Sequence, residues 1–151
     1  MTFRKTMGVT VTIGSTSYHS IDNFGLAIQN TDYIGDPVMD ESNIIFVAGR
    51  SGPLDLNDEV FGGATFLYRP IIIIFGGIDD PDDWDGRIST YRNLFHGKNV
   101  KLTFDNDPEF YWKGRATIEA FTRHRRLGQF ELHINYADPY KYRISNNERS
   151  L

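Results

Sequence analysis

The sequence predicts a mainly β, α+β fold: an antiparallel β-sandwich or split barrel with one α-helix at about residues 81–96. Three observations predict it. Short runs of β-branched and aromatic residues recur along the chain, separated by clusters of Gly, Pro, Asn and Asp. Only one segment carries an apolar period of the helical kind. The longest apolar run, Ile71-Ile72-Ile73-Ile74-Phe75, is unbroken and suits a strand buried on both faces.

At 151 residues the chain is read as a single domain over 7–144, with residues 1–6 a frayed or added leader and 145–151 a polar tail. A hydrophobic fraction of 40% with 14% aromatics argues for a packed core and against disorder. No apolar run approaches the ~20 residues that span a bilayer, so no membrane association is expected. The absence of cysteine excludes disulfides, thiol catalysis and cysteine-ligated metals. A net charge of −4 argues against a dedicated nucleic-acid binder.

The elements follow in order. Val9, Val11 and Ile13 alternate with threonines and predict a strand, closed by a turn at Gly14-Ser15-Thr16-Ser17. Phe24-Gly25-Leu26-Ala27-Ile28 predicts renewed β structure running towards Tyr33 and Ile34, and Gly35-Asp36-Pro37 breaks it. Ile44-Ile45-Phe46-Val47-Ala48 predicts a short apolar strand. Residues 49–63 have no period and form a long loop, which in a compact domain is usually functional or disordered.

The run through Phe75 ends at Gly76-Gly77, and Asp79-Asp80-Pro81 predicts a helix start, with Asp80 as N-cap and Pro81 at the first helical position. Trp84, Ile88, Tyr91, Leu94 and Phe95 form one apolar stripe, and Gly97 supplies the stop beside His96 and Lys98. Val100, Leu102 and Phe104 alternate with polar residues as a half-buried strand. Asp105-Asn106-Asp107-Pro108 is a turn. Residues 110–121 and 130–136 predict a hairpin, with Phe130, Leu132, Ile134 and Tyr136 on one face and the basic connection Arg123-His124-Arg125-Arg126-Leu127-Gly128 in solvent.

No constellation for chemistry emerges. The aspartates 79, 80, 82, 83 and 85 fail the calcium-loop pattern, because the sixth position from Asp80 is Asp85 and the twelfth is Tyr91; they suit a helix start instead. Asp105, Asp107 and Glu109 crowd one turn rather than facing each other across a cleft. His19, His96, His124 and His133 have no metal-ligand spacing. No serine sits in a nucleophile elbow, and no glycine pattern forms a phosphate or dinucleotide loop. The expectation is a protein that is not an enzyme, with no catalytic residue, metal or cofactor. Phe110-Tyr111-Trp112 offers rings to a sugar or base, but alternation sends at least one of them into the core.

Seven short motifs together carry a resemblance. They are Asn23-Phe24-Gly25-Leu26, Gly49-Arg50-Ser51-Gly52-Pro53-Leu54-Asp55-Leu56, Asp79-Asp80-Pro81-Asp82-Asp83-Trp84, Leu94-Phe95-His96-Gly97-Lys98, Phe104-Asp105-Asn106-Asp107-Pro108, Trp112-Lys113-Gly114-Arg115 and Asp138-Pro139-Tyr140-Lys141-Tyr142. In this order, across about residues 7–142, the chain resembles the N-terminal, ring-forming domain of distal tail proteins of long-tailed phages and prophages of Gram-positive bacteria.

The resemblance implies a structural virion protein, a homohexameric ring at the tail tip that joins the tail tube protein to the tail-tip or baseplate protein. DNA would pass through its channel without specific binding. It would be made in the bacterial host cytoplasm and reside at the virion tail tip. A galectin-like second domain, which larger members carry after the position of Tyr140-Lys141-Tyr142, is expected to be absent. On this reading, Arg50, Asp55, Asp58, Glu59 and Phe61 in the long loop meet the adjacent subunit. The alternatives are a tail-tube or baseplate hub subunit, or a small glycan-binding module.

Overall fold

A computed structural model describes residues 8–58, 62–77, 84–124 and 127–151. β1 (Val9–Ile13) and β2 (Thr16–His19) form a hairpin across Gly14 and Ser15, with Gly14 at φ 61°. Tight hairpin turns need positive φ, which glycine adopts without a Cβ clash. β1 also pairs with β8 (Asn99–Phe104), which pairs with β9 (Phe110–Arg115). β12 (Lys141–Arg143) and β13 (Arg149–Ser150) complete a six-stranded sheet in the order β13-β12-β9-β8-β1-β2.

The second sheet is built from β3 (Leu26–Ile28), β7 (Phe66–Gly77), β10 (Thr117–His124) and β11 (Leu127–Ala137), in the order β10-β11-β7-β3, with β4 (Val38–Met39) pairing to the other end of β7. A separate two-stranded ladder joins β5 (Ile44–Ile45) to β6 (Leu54–Asp55). All these pairings are antiparallel, and neither large sheet closes into a barrel.

The core forms where the inner faces meet. Val9, Val11, Val100, Leu102, Phe104 and Trp112 come from the first sheet; Ile71, Ile73, Phe75, Ile118, Phe130, Leu132 and Ile134 come from the second. At about 1.5–3 kcal/mol for each fully buried large apolar side chain, this joint face is the main favourable term holding the sheets together. Helix α2 (Trp84–Phe95) lays Ile88, Tyr91 and Phe95 against the same core, with Leu94 partly buried beside them, as its stripe predicts. Gly97 ends it at φ 77°, its N–H donating to the Ala116 carbonyl. The predicted start at Asp80 and Pro81 lies outside the described residues. The His96 Nδ1 accepts a hydrogen bond from the Ile118 N–H at 2.9 Å, tying the helix end to β10.

Five expectations are corrected. Phe24 does not restart a strand; it closes a short helix, α1 (Ser20–Phe24). The His19 ring caps that helix by accepting from the Asp22 N–H, the Asn23 carboxamide accepts from the His19 N–H, and Gly25 leaves it at φ 66°. These local bonds override the β-branched and aromatic propensity of the segment. Beyond β3 the regular ladder gives way to an isolated bridge, Ile34 to Ile71, and single backbone bonds to β7 at Gln29, Tyr33 and Gly35. The Asn30 carboxamide takes over there: it donates to the Ile72 carbonyl and accepts from the Ile74 N–H, as a strand backbone would.

Second, the isoleucine run is buried on one face only: Ile71 and Ile73 are sealed, while Ile72 is 36% exposed. Third, Tyr136 leaves the face of Phe130, Leu132 and Ile134. The ladder pairs Ile134 with Ile71 and then Ala137 with Arg69, so β11 bulges opposite Pro70, which has no N–H for a ladder bond. The bulge turns Ala137 into the core, 1% exposed, and Tyr136 outward, 76% exposed.

Fourth, residues 110–121 are two strands rather than one. At the fully buried Ala116, whose N–H and carbonyl bond to Lys98 and Gly97, the chain passes from the six-stranded sheet to the other. The ladder then runs to His124 and Leu127, so the connection is residues 125–126, outside the described residues. Fifth, Ile44-Ile45-Phe46-Val47-Ala48 is not a strand throughout: only Ile44 and Ile45 pair, and Phe46 is 82% exposed.

Candidate assembly surface

Between β4 and β7 the chain leaves the sheets as an arm. Its base is closed by the Asp40 N–H donating to the Thr65 carbonyl at 2.7 Å. Outward from there, β5 pairs with β6, and the Leu56 N–H donates to the Asn43 carbonyl. Asp55 turns the chain after β6: one carboxylate oxygen accepts from both the N–H and the carboxamide of Asn57. Gly49 and Gly52, both at φ 80°, fold the tip. That tip presents Ile45, Phe46 and Val47 to solvent, and no described residue of the arm belongs to the core cluster. Contiguous exposed apolar side chains of this size mark contact surfaces more often than ordinary solvated loops.

The residues predicted to meet a neighbouring subunit divide accordingly. Arg50, Asp55 and Asp58 all lie exposed on the arm, whereas Glu59 and Phe61 lie outside the described residues. Sequence reasoning missed Ile45, Phe46 and Val47 as surface residues, placing them in a short apolar strand. The signal was present: a run that passes directly into Gly49-Arg50-Ser51-Gly52-Pro53 sits at a loop tip. Arg69, which it did not single out, is also relevant. It sits on β7 with its ring-facing guanidinium 4.9 Å from the Trp112 centroid.

The titratable groups elsewhere are mutually engaged. His19 Nε2 lies 2.8 Å from Asp105, Lys141 Nζ lies 2.7 Å from Asp107, and Arg143 lies 3.0 Å from Glu109, so the three carboxylates of that turn serve three separate partners. On the outer face of the five-stranded sheet, His133 places one ring nitrogen 2.8 Å from Glu119 and the other 2.8 Å from Glu131. Those two glutamates are directly opposite each other, with the imidazole lying between them. Among the described residues no group of three His, Asp or Glu side chains could hold a metal ion, and no helix is long and apolar enough to cross a membrane. A concavity of about 560 Å³ lies on the six-stranded sheet beside Thr12, Lys101, Lys113 and Asp138. Trp112, the ring best suited to stacking on a sugar, is 3% exposed and faces the core.

One group reports its surroundings by titration. Burial, and then the Asp138 carboxylate that accepts its hydroxyl at 2.8 Å, push Tyr142 up to about 12. A folded-state value above the unfolded one means that the neutral phenol favours the fold. That contribution is complete below about pH 10 and is lost as pH rises towards 12. Urea denaturation at pH 9 and pH 11.5 is therefore expected to cost the wild-type chain about 1 kcal/mol more than Tyr142→Phe, after allowing for solvent screening at a partly exposed ring. Equal losses in the two chains would show that the Tyr142–Asp138 bond carries no such coupling.

No protein-family model matches the chain, and no curated protein sequence does. Among solved structures, the chain is similar to one described as the crystal structure of the SPP1 Dit (gp 19.1) protein, a paradigm of hub adsorption apparatus in Gram-positive infecting phages. The TM-score is 0.60 at 19% sequence identity, over 89% of this chain and 52% of that one. The chain thus spans about half the length of that protein. At this identity the likeness shows a shared fold.

Proposed function

We propose that this chain is a structural subunit of a bacteriophage tail: a distal tail component that assembles as a homohexameric ring at the tail tip and joins the tail tube to the tip or baseplate. It acts by assembly rather than catalysis and needs no cofactor. DNA passes through the ring without specific binding, which suits a chain of net charge −4. The fold shared with a phage hub protein supports the reading.

The observation that carries it is the arm. It runs outward from Asp40, gives none of its described side chains to the core cluster, and exposes Ile45, Phe46 and Val47. A tip of this kind, far in chemistry from the polar rest of the loop, fits a different patch on the next copy. Such a contact is heterologous, and repeated with a closing rotation it generates a ring.

Light scattering across a concentration series, with negative-stain images of the same fractions, tests the reading. A mass near six times the 17.3 kDa chain, with ring-shaped particles, is the expected result. A single-chain mass at every concentration would sink it.

A further inference from the structure

Arg69 is a largely buried cation with no ion-pair partner among the described residues. Its residue is 9% exposed, and its Nε is sealed from solvent with no hydrogen-bond partner. No carboxylate lies within ion-pair distance of it among the described residues. Asp36 acts on it only from farther away, and burial outweighs that help and pushes the guanidinium below its usual value. Burying an ion costs several kcal/mol unless charge and hydrogen bonds offset it, and one Trp112 face is a partial offset. A methionine would fill the same space at lower cost. The surroundings also change character here: Leu67, two residues along the same strand, is 55% exposed. An arginine backed by tryptophan beside exposed apolar surface has the make-up of a binding anchor.

We propose that Arg69 is a carboxylate seat, filled by an acidic side chain on the arm of a second copy of this chain. The inference rests on the ring reading for the identity of that occupant. The arm supplies both halves of the match: Asp55 and Asp58 are exposed carboxylates for the guanidinium fork, and Phe46 is an exposed apolar side chain for Leu67. With Nε sealed, the terminal Nη1 and Nη2 offer a carboxylate two parallel N–H donors, which a lysine cannot reproduce.

The test compares the wild-type chain with Arg69→Met and Arg69→Lys by light scattering and thermal melting. Alongside, the Arg69 Nε–H resonance of ¹⁵N-labelled wild-type protein is followed during titration with sodium acetate at constant ionic strength. The expected result is association at least tenfold weaker in Arg69→Met, with melting no lower than wild type, intermediate association in Arg69→Lys, and a saturable acetate shift. Rings formed equally well by wild type and both variants would overturn the seat while leaving the ring reading intact. A wild-type chain that never associates would overturn the ring reading and with it the second copy as occupant. The acetate shift then decides the seat alone: saturation supports it, and a flat resonance overturns it. Should Arg69→Met fail to fold, association of the lysine variant and the acetate titration still separate a filled seat from an empty one.

Discussion

Phe130→Ala is expected to lower the unfolding free energy by about 3–5 kcal/mol, a large share of the 5–15 kcal/mol that holds a typical domain. The reason is position rather than size alone. Phe130 is 2% exposed, pairs across the sheet with Phe75, and stacks on Tyr91 of α2 at a centroid distance of 5.2 Å. It therefore ties the five-stranded sheet to the helix. A small void of about 10 Å³ already lies beside it, lined by Phe75, Phe95 and Leu132, so its neighbours have little slack with which to collapse. Chemical denaturation of wild type, Phe130→Ala and Phe130→Leu measures the effect, with the leucine variant expected to lose less than half as much. A loss below about 1 kcal/mol in the alanine variant would mean that helix and sheet do not depend on this contact.

Phe46→Asp is expected to do the opposite: to spare the fold and abolish assembly. A side chain 82% exposed contributes little to the isolated chain, and surface substitutions of this kind fall within about ±0.5 kcal/mol. If it is buried against a neighbouring copy in the ring, its loss removes about 2 kcal/mol from every interface and places a charge there instead. Association is then expected to weaken at least a hundredfold. The measurement is molar mass at a concentration where the wild-type chain is fully assembled, paired with a melting curve. An aspartate variant that assembles as wild type does would remove the arm tip from the interface.

The two substitutions also separate what could be read from the sequence from what could not. Val9, Val11, Val100, Leu102 and Phe104 were legible because period-2 alternation survives directly as a buried face. The stripe of α2 was legible for the same reason at a period of 3.6. Tyr136 was not, because one inserted residue at the bulge inverts every later facing, and nothing in the alternation records the insertion. The turn of helix at Ser20–Phe24 was hidden by a histidine acting as the cap, a role more often taken by Ser, Thr, Asp or Asn. The candidate surface was half legible. Its charged members, Arg50, Asp55 and Asp58, stood out in a turn-rich stretch, but Ile45, Phe46 and Val47 read as part of a short apolar strand. An apolar run reports that a surface wants to be covered, not which chain covers it.

The order of strands within the sheets has a consequence during synthesis. β1 waits for β8 some ninety residues later, and β3 waits for β7, which is itself covered only when β11 arrives. A nascent chain leaving the ribosome therefore holds Ile71, Ile73 and Phe75 without their β11 partners until residues past 130 have emerged. Folding cannot proceed as a vectorial build-up from the N-terminus; it is postponed and then made nearly at once. In the interval, the same isoleucine strand that later anchors the core is the segment most in need of shielding from other chains.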